Sequence, residues 1–123
     1  MGFVVQNIRK FEKNMIFQKK IKEVFDEYQQ ATLALYSNYS NAYIELIEPL
    51  DEKSFTWNAL IKNGNHFHHL CYSVRTAEEM NCIAKEERLI EIMKPVPAIL
   101  FNNQYVAFYF SRNKQIIEFV IDI

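Results

Sequence analysis

Two copies of one short pattern decide the fold: Ile44-Glu45-Leu46-Ile47 in the middle of the chain and Ile117-Glu118-Phe119-Val120 at its end. Each copy is a run of apolar, largely β-branched residues, which predicts a buried or half-buried strand. One glutamate interrupts each run. Because side chains alternate between the two faces of a strand, each glutamate points away from its apolar neighbours, to a face where something polar must meet it. A single such glutamate is typical of the wet face of an antiparallel sheet, but the repetition favours a shared function.

The two halves of the chain also open alike. Gly2 in the first half aligns with Cys71 in the second, and in both halves the predicted strand runs into a helical stretch, over Arg9–Phe17 and Ala77–Arg88. Three further strands are predicted in each half before the chain reaches the repeated glutamate motif. The sequence therefore predicts an internal repeat of one strand-helix-three-strand unit, and such a repeat decides the architecture.

The predicted α+β fold has one domain, residues 1–123, made of two βαβββ modules. Module 1 covers about residues 1–50 and module 2 about residues 65–123. Between them, Ser54 is predicted to cap a short linker helix that ends near Asn63-Gly64-Asn65. The remaining predicted strands lie near residues 21–28, 31–36 and 42–47 in module 1, and the last two strands of module 2 lie near 105–111 and 115–121. Before these two strands, the segments 90–93 and 98–101 flank Pro95 and Pro97, which predict an edge or an extended bend.

Composition excludes several classes of protein. The net charge of −1 and the pI near 6.3 give no basic surface for nucleic acid. No apolar run reaches the roughly twenty residues that span a bilayer, and no secretory signal follows Met1. We therefore expect a cytoplasmic protein without nucleic-acid or membrane partners. Two cysteines are too few for a disulfide scaffold. Cys82 is predicted to be buried in the second helix, and Cys71 to share a strand face with His69.

Four segments, in order, resemble the vicinal-oxygen-chelate superfamily, which includes glyoxalase I, extradiol dioxygenases and bleomycin-resistance proteins. The strongest local resemblance is to its methylmalonyl-CoA epimerase branch. The segments are Ile44-Glu45-Leu46-Ile47-Glu48-Pro49-Leu50, His68-His69-Leu70-Cys71-Tyr72, Val106-Ala107-Phe108-Tyr109 and Ile116-Ile117-Glu118-Phe119-Val120. The resemblance covers nearly the whole chain.

The resemblance implies that the two modules form a half-open mixed barrel around a divalent metal. In the superfamily each module gives the metal one ligand from its first strand and one from its last. Carried over to this chain, the ligands are Glu45, His69 and Glu118. Two carboxylates and an imidazole suit Mn²⁺, Co²⁺, Ni²⁺, Fe²⁺ or Zn²⁺. The implied function is a metal-assisted isomerase or epimerase that acts through an enolate on an acyl thioester or an α-carbonyl acid. Glu118 and Glu45 are the candidate bases, whereas Glu48 is expected on the opposite strand face.

The chain departs from the superfamily pattern at one position. The superfamily's first-strand histidine aligns immediately before Met1. Either the natural chain starts upstream and supplies this histidine, or the protein has abandoned tight metal binding and a site of three ligands binds a metal more weakly. Two other histidines surround His69. His68 is expected on the opposite face of its strand, and His66 is expected to precede the strand, which makes both poor ligands.

Two alternative functions stay open on the sequence. One is a metal-free small-molecule binding protein of the bleomycin-resistance type, which the low glycine content and the missing ligand favour. Its cleft would be lined by Tyr36, Tyr43, Trp57, Tyr105 and Phe108. The other is a glyoxalase-type lyase acting on a thiol adduct. A homodimer is expected in each case, because half-open strands leave unprotected edges and the superfamily commonly pairs modules between chains. The sequence does not identify the substrate.

Overall fold

The structure, a computed structural model, describes residues 1–16, 18–37 and 42–122. The elements follow the chain as β1 Gly2–Val4, α1 Ile8–Glu12, β2 Lys19–Asp26, β3 Ala31–Ser37, β4 Tyr43–Pro49, α2 Trp57–Asn63, β5 His66–Val74, α3 Ala77–Glu86, β6 Ile90–Ala98, β7 Gln104–Phe110 and β8 Ile116–Ile121. The α+β class and the two βαβββ modules are confirmed. The chain forms two compact units, Met1–His68 and His69–Ile123.

The first unit contains four strands in the order β2-β3-β4-β1, with β1 parallel to β4 and the other neighbours antiparallel. Helix α1 covers one face of these strands. The core under this helix includes Val5, Ile8, Ala34, Tyr36 and Leu46. The side chain of Asn7 caps α1 by accepting a hydrogen bond from the Lys10 amide at 2.9 Å.

Helix α1 is shorter than the predicted Arg9–Phe17. It ends at Glu12, and the next hydrogen bonds, from Asn14 N to Phe11 O and from Met15 N to Glu12 O, close tighter three-residue turns. Phe17 lies outside the described residues. The strand predicted near residues 21–28, whose Lys and Glu content is typical of a helix, is present as β2, which covers Lys19–Asp26. Pairing with β3 over seven residues decides this outcome, because tertiary hydrogen bonds outweigh local propensity.

The second unit repeats this arrangement in the order β5-β8-β7-β6, with β5 parallel to β8. Helix α3 covers one face, over a core that includes Val74, Met80, Tyr109, Ile117 and Phe119. Opposite pairs confirm the predicted repeat: Gly2 pairs with Glu45 in the first unit, and Cys71 pairs with Glu118 in the second. The alignment of Gly2 with Cys71 therefore holds in the backbone hydrogen bonding and not only in the residue pattern.

Pro95 and Pro97 lie inside a single strand, β6, which has β7 as its neighbour at the end of the strand order. The edge position that the two prolines predict is confirmed. A register irregularity between Met93 and Val96 accommodates them, because a proline cannot donate to a regular ladder. The segment Ile99–Phe101 is a 3-10 turn rather than a strand, followed by Asn102 in the left-handed conformation (φ 55°).

The predictions for α2 and for Cys82 need correction. Helix α2 begins three residues after Ser54; the buried Ser54 side chain contacts Thr56 at 3.4 Å and caps no helix. The helix ends before Gly64 (φ 67°), as predicted. Cys82 is exposed rather than buried, because it lies on the outward side of α3. Within the described residues, no helix combines the length and apolarity needed to cross a membrane.

Candidate metal centre

In the second unit, a buried imidazole and a buried carboxylate lie side by side. His69 Nε2 is 3.0 Å from Glu118 Oε1, and the two side chains are 1% and 4% exposed. Burying either group in a dry interior costs free energy unless it has a partner of opposite charge or a hydrogen-bond partner. Two ligand atoms that each lie about 2.1 Å from one cation, at about a right angle, are themselves about 3 Å apart. The separation therefore suits either an ion pair or a shared cation.

Strand alternation separates this pair from the helix-covered core. On β8, Ile117 and Phe119 face α3, so Glu118 faces the other way. Apolar residues lie next to the pair on this face. Phe108 pairs directly with Glu118 across the strands and meets the His69 ring edge to face at 5.8 Å. Cys71, beside Glu118 on β5, packs against a small cluster on this face that includes Val106 and Val120.

In the first unit, Glu45 is the third candidate ligand. Its neighbour Leu46 packs against α1, so Glu45 lies on the face that α1 does not cover. Only 7% of Glu45 is exposed. Its direct strand neighbours are Gly2 on β1 and Leu35 on β3. The first unit therefore places a carboxylate at the position that Glu118 takes in the second unit.

The other residues of the two motifs have structural roles. Glu48 Oε1 accepts a hydrogen bond of 2.7 Å from the Ile8 amide at the start of α1, so Glu48 faces the helix as predicted. His66 is the first residue of β5, not a residue before it, and its Nδ1 lies 2.8 Å from the Gly64 carbonyl oxygen. His68 is half-buried on the face opposite His69.

The five aromatic residues expected to line one cleft lie on different faces. Phe108 shares the face of Glu118, and Tyr43 shares the face of Glu45 through their alternation on β4. Tyr36 packs under α1, and Tyr105 alternates with Phe108 onto the α3 side of its strand. Trp57 belongs to α2 and lines a cavity of about 670 Å³ in the first unit. The sequence-based expectation of one aromatic cleft from these five residues is therefore wrong.

A charged cluster that the sequence did not predict surrounds Tyr36. The Tyr36 hydroxyl donates a hydrogen bond of 2.7 Å to Glu12 Oε2, which lowers the pKa of Glu12. Burial, and then the bond to Glu12, raise the pKa of Tyr36. Lys20 Nζ lies 3.3 Å from Glu12 Oε2 and also pairs with Glu23. These interactions connect Glu12 of α1 to Lys20 of β2 and to Tyr36 of β3. Sequence reasoning missed the cluster because its members are brought together by strand pairing.

A second cavity, of about 540 Å³, lies on the α3 side of the second unit. It is lined by Tyr72, Ile83, Leu89, Arg112, Ile117 and Phe119 among others. Because Ile117 and Phe119 alternate with Glu118, the cavity is on the face opposite the buried carboxylate. It is not the candidate metal centre.

Comparison with known proteins identifies the family. The model for the glyoxalase/bleomycin resistance protein/dioxygenase superfamily matches residues 1–108. A hypothetical protein from Bacillus halodurans is 26% identical, with a TM-score of 0.85 over 99% of this chain and 91% of that one. Methylmalonyl-CoA epimerase from Mycobacterium tuberculosis is 20% identical, with a TM-score of 0.84 over 99% of this chain and 85% of that one.

A variant of the Streptomyces coelicolor epimerase, in complex with 2-nitronate-propionyl-CoA, is 15% identical. Its TM-score is 0.79, over 98% of this chain and 93% of that one. No curated protein matches the sequence. The epimerases share the fold of this chain at identities too low to carry over an activity. The family match spans most of the sequence, and the chain belongs to the glyoxalase/bleomycin resistance protein/dioxygenase superfamily, that is, the vicinal-oxygen-chelate superfamily.

Proposed function

We propose that this protein holds a divalent cation through Glu45, His69 and Glu118 and catalyses proton transfer next to a carbonyl group. The observation that carries the proposal is the buried His69–Glu118 pair, 3.0 Å apart, on the strand face opposite α3. The internal repeat supports Glu45 as the third ligand, because its register with Gly2 matches the register of Glu118 with Cys71.

The donor set fits a first-row divalent cation. Two carboxylates and one imidazole, all buried, offer oxygen and nitrogen atoms to Mn²⁺, Co²⁺, Ni²⁺, Fe²⁺ or Zn²⁺. When bound, such a cation supplies Lewis-acid stabilisation of the negative charge that develops on a carbonyl oxygen as the adjacent carbon loses its proton. Three ligands leave coordination positions for substrate oxygens, as in many catalytic zinc sites.

The side chains have separable roles in this reaction. His69 fixes the position of Glu118, and the edge of the Phe108 ring restricts the orientation of the imidazole. Glu118 or Glu45, whichever is not bound to the cation during the reaction, is the carboxylate that takes the proton from the substrate carbon and returns it. Glu48 has no part in this step, since it holds the start of α1. Return of the proton to the same carbon on its other side gives epimerisation, and return to a neighbouring atom gives isomerisation.

The proposed substrates are small acyl thioesters or α-carbonyl acids in the cytoplasm. Structural neighbours support this class, because one is a methylmalonyl-CoA epimerase in complex with methylmalonyl-CoA and another holds 2-nitronate-propionyl-CoA. A glyoxalase-type lyase acting on a thiol adduct would use the same proton transfer.

Titration of the metal-stripped protein with Co²⁺ or Mn²⁺ tests the site. The wild-type protein is expected to bind close to one equivalent. His69→Ala is expected to lower the affinity at least about tenfold, about 1.4 kcal/mol, because a buried ligand is lost. His66→Ala is the control and is expected to have almost no effect, because its ring contacts the Gly64 carbonyl oxygen. Equal effects of the two substitutions would show that the histidines bind metal only at the surface.

Exchange of the proton next to the carbonyl tests the reaction. The loaded protein is incubated in D₂O with methylmalonyl-CoA or another acyl thioester, and deuterium incorporation is followed by NMR. Glu118→Gln is expected to abolish enzyme-dependent exchange while the protein stays folded. Binding of metal and substrate without any exchange would contradict the enzyme and support the second candidate.

That second candidate is a small-molecule binding protein of the bleomycin-resistance type. It is favoured by the apolar residues on the strand face of the His69–Glu118 pair, where Phe108, Val106 and Val120 offer contact area for a ligand. Such a protein would bind its ligand equally well after removal of the metal.

We also propose a homodimer. Strand β6 stands at the end of the strand order of the second unit, and it carries Ile90 and Ile92 in exposed positions. Phe110, which pairs with Ile90, is 40% exposed. An apolar edge of this kind is a template for pairing with another chain.

A further inference from the structure

One lysine of the first unit shares the strand face of Glu45. Lys22 on β2 pairs directly with Leu35 on β3, and Leu35 pairs directly with Glu45 on β4. Directly opposite residues of neighbouring strands point to the same face. Lys22, Leu35 and Glu45 therefore form one row across three strands, with a half-buried cation at one end and a buried carboxylate at the other.

A β-bulge puts Lys22 in this row. On a regular strand, Lys20 and Lys22 would share a face, because side chains two residues apart point the same way. The register shifts between them, so Lys20 pairs with Tyr36 and Lys22 pairs with Leu35. Lys20 consequently joins the cluster beside α1, where it pairs with Glu12. Bulges commonly re-aim a side chain beside a functional site.

The second unit shows that the fold does not require a charge at this position. Its edge strand has the same kind of register shift, between Glu91 and Met93, and the equivalent row is Met93, Phe108 and Glu118. An apolar side chain therefore satisfies the same place in the repeat. Lys22 is a property of this chain's first module rather than of the βαβββ architecture.

The distances across the row suit a ligand that reaches both ends. Neighbouring strands are about 4.8 Å apart, so the backbones of Lys22 and Glu45 are separated by about 10 Å. The four-carbon stem of a lysine covers a large part of this span. We consider a ligand whose carbonyl oxygen lies next to Glu45. An anionic group a few bonds from that oxygen would be within reach of Lys22.

We infer that Lys22 is a specificity-determining residue, which selects ligands bearing a carboxylate a few bonds from the carbonyl oxygen held near Glu45. From the proposed function, the inference takes only the position of the ligand's carbonyl group near Glu45. Hydrogen bonds from the half-buried Lys22 ammonium to an anion are stronger than those of an exposed lysine, because water screens the two charges less. A neutral ligand gains nothing from this contact, so the charge of the ligand decides the affinity.

Two matched thioesters test this inference: methylmalonyl-pantetheine and propionyl-pantetheine, which differ by one carboxylate. Calorimetric titration of the full chain is expected to show tighter binding of the methylmalonyl compound. Lys22→Met, which installs the residue of the equivalent position in the second module, is expected to weaken its binding about tenfold. The affinity for the propionyl compound should stay within about twofold. Lys22→Arg should restore most of the preference.

Lys94→Met is the control for the loss of one positive charge, since Lys94 is exposed on β6 of the second unit. It should leave both affinities unchanged. The inference is overturned if Lys22→Met weakens both thioesters equally, if it weakens neither, or if the wild-type protein shows no preference, including failure to bind either compound. A lysine that only balances the buried Glu45 would change the melting temperature and leave the ratio of affinities unaltered.

The titration is made with and without Co²⁺, so that it does not depend on turnover. Loss of the proposed function appears as absence of metal binding or of proton exchange. Loss of the Lys22 inference appears as an unchanged ratio of the two affinities. The two failures are therefore distinguished by separate measurements.

Discussion

At the scale of the residue, three glutamates of this chain have three different roles. Glu118 pairs with His69 on the strand face opposite α3, whereas Glu48 faces α1 and accepts a hydrogen bond from the Ile8 amide. Glu12 accepts the Tyr36 hydroxyl. Alternation along a strand explains the difference between Glu45 and Glu48, because an odd number of positions separates them. The role of a glutamate in an apolar run can therefore be predicted only when the strand face that carries its side chain is known.

Glu12→Gln tests the charged cluster around Tyr36. The bond from Tyr36 lowers the pKa of Glu12 in the folded protein, so its stabilising effect is present above the ordinary carboxyl pKa and is lost as the pH falls through the folded value. Replacing a charged hydrogen-bond partner by a neutral one should cost about 1 kcal/mol at pH 7. The difference in melting temperature between wild-type and Glu12→Gln proteins should therefore shrink between pH 7 and pH 3.

The matched control is Glu52→Gln, a substitution at an exposed glutamate in the segment before α2. Its melting temperature should stay close to that of the wild type at both pH values. A Glu12→Gln difference that is constant with pH would show that the charge of Glu12 is irrelevant to the cluster.

At the scale of the element, the end of β2 and the start of α3 have local causes. Asp26 ends β2, because its carboxylate accepts the amides of Tyr28 and Gln29 at 2.9 and 3.2 Å and forms the turn into β3. Helix α3 begins at Thr76, whose hydroxyl accepts the Glu79 amide at 3.0 Å. Glu79 in turn accepts the Arg75 amide at 2.9 Å. These caps are readable in the sequence, because they join residues three or four positions apart.

Thr76→Ala is expected to destabilise the protein by about 1 kcal/mol, because the Glu79 amide loses its acceptor at the helix start. Urea denaturation followed by circular dichroism measures this change. Thr76→Ser keeps the hydroxyl and should stay within a few tenths of a kcal/mol of the wild type. A serine variant as unstable as the alanine variant would indicate that the methyl group, not the cap, is the important contact.

At the scale of the whole molecule, the internal repeat organises both units in the same way. Each has a first strand parallel to its last strand, a helix over one face and a bulge on its outermost strand. Both outermost strands expose apolar side chains, Ile21 and Phe25 on β2 and Ile90 and Ile92 on β6. The proposed homodimer uses the β6 edge, where Ile90 is the most exposed of the four.

Sedimentation tests the homodimer. The wild-type protein is expected to sediment at twice the 14.7 kDa chain mass at micromolar concentration. Ile90→Glu should shift it toward the monomer, because a buried carboxylate on the edge strand would oppose pairing. Ile61→Glu, at an equally exposed isoleucine of α2, should leave the dimer intact. A wild-type protein that sediments only at the monomer mass would remove the proposal.

The sequence alone determined the repeat, the family resemblance and the candidates Glu45, His69 and Glu118. It could do so because a strand's faces follow from alternation and because the repeat aligns the two modules. Only the tertiary structure decided the end of α1, the exposure of Cys82, the turn at Ile99–Phe101 and the opposite faces of Lys20 and Lys22. Those features depend on which strand pairs with which and where the register shifts. Such pairing is a property of residues far apart in the chain, so a local pattern does not contain it.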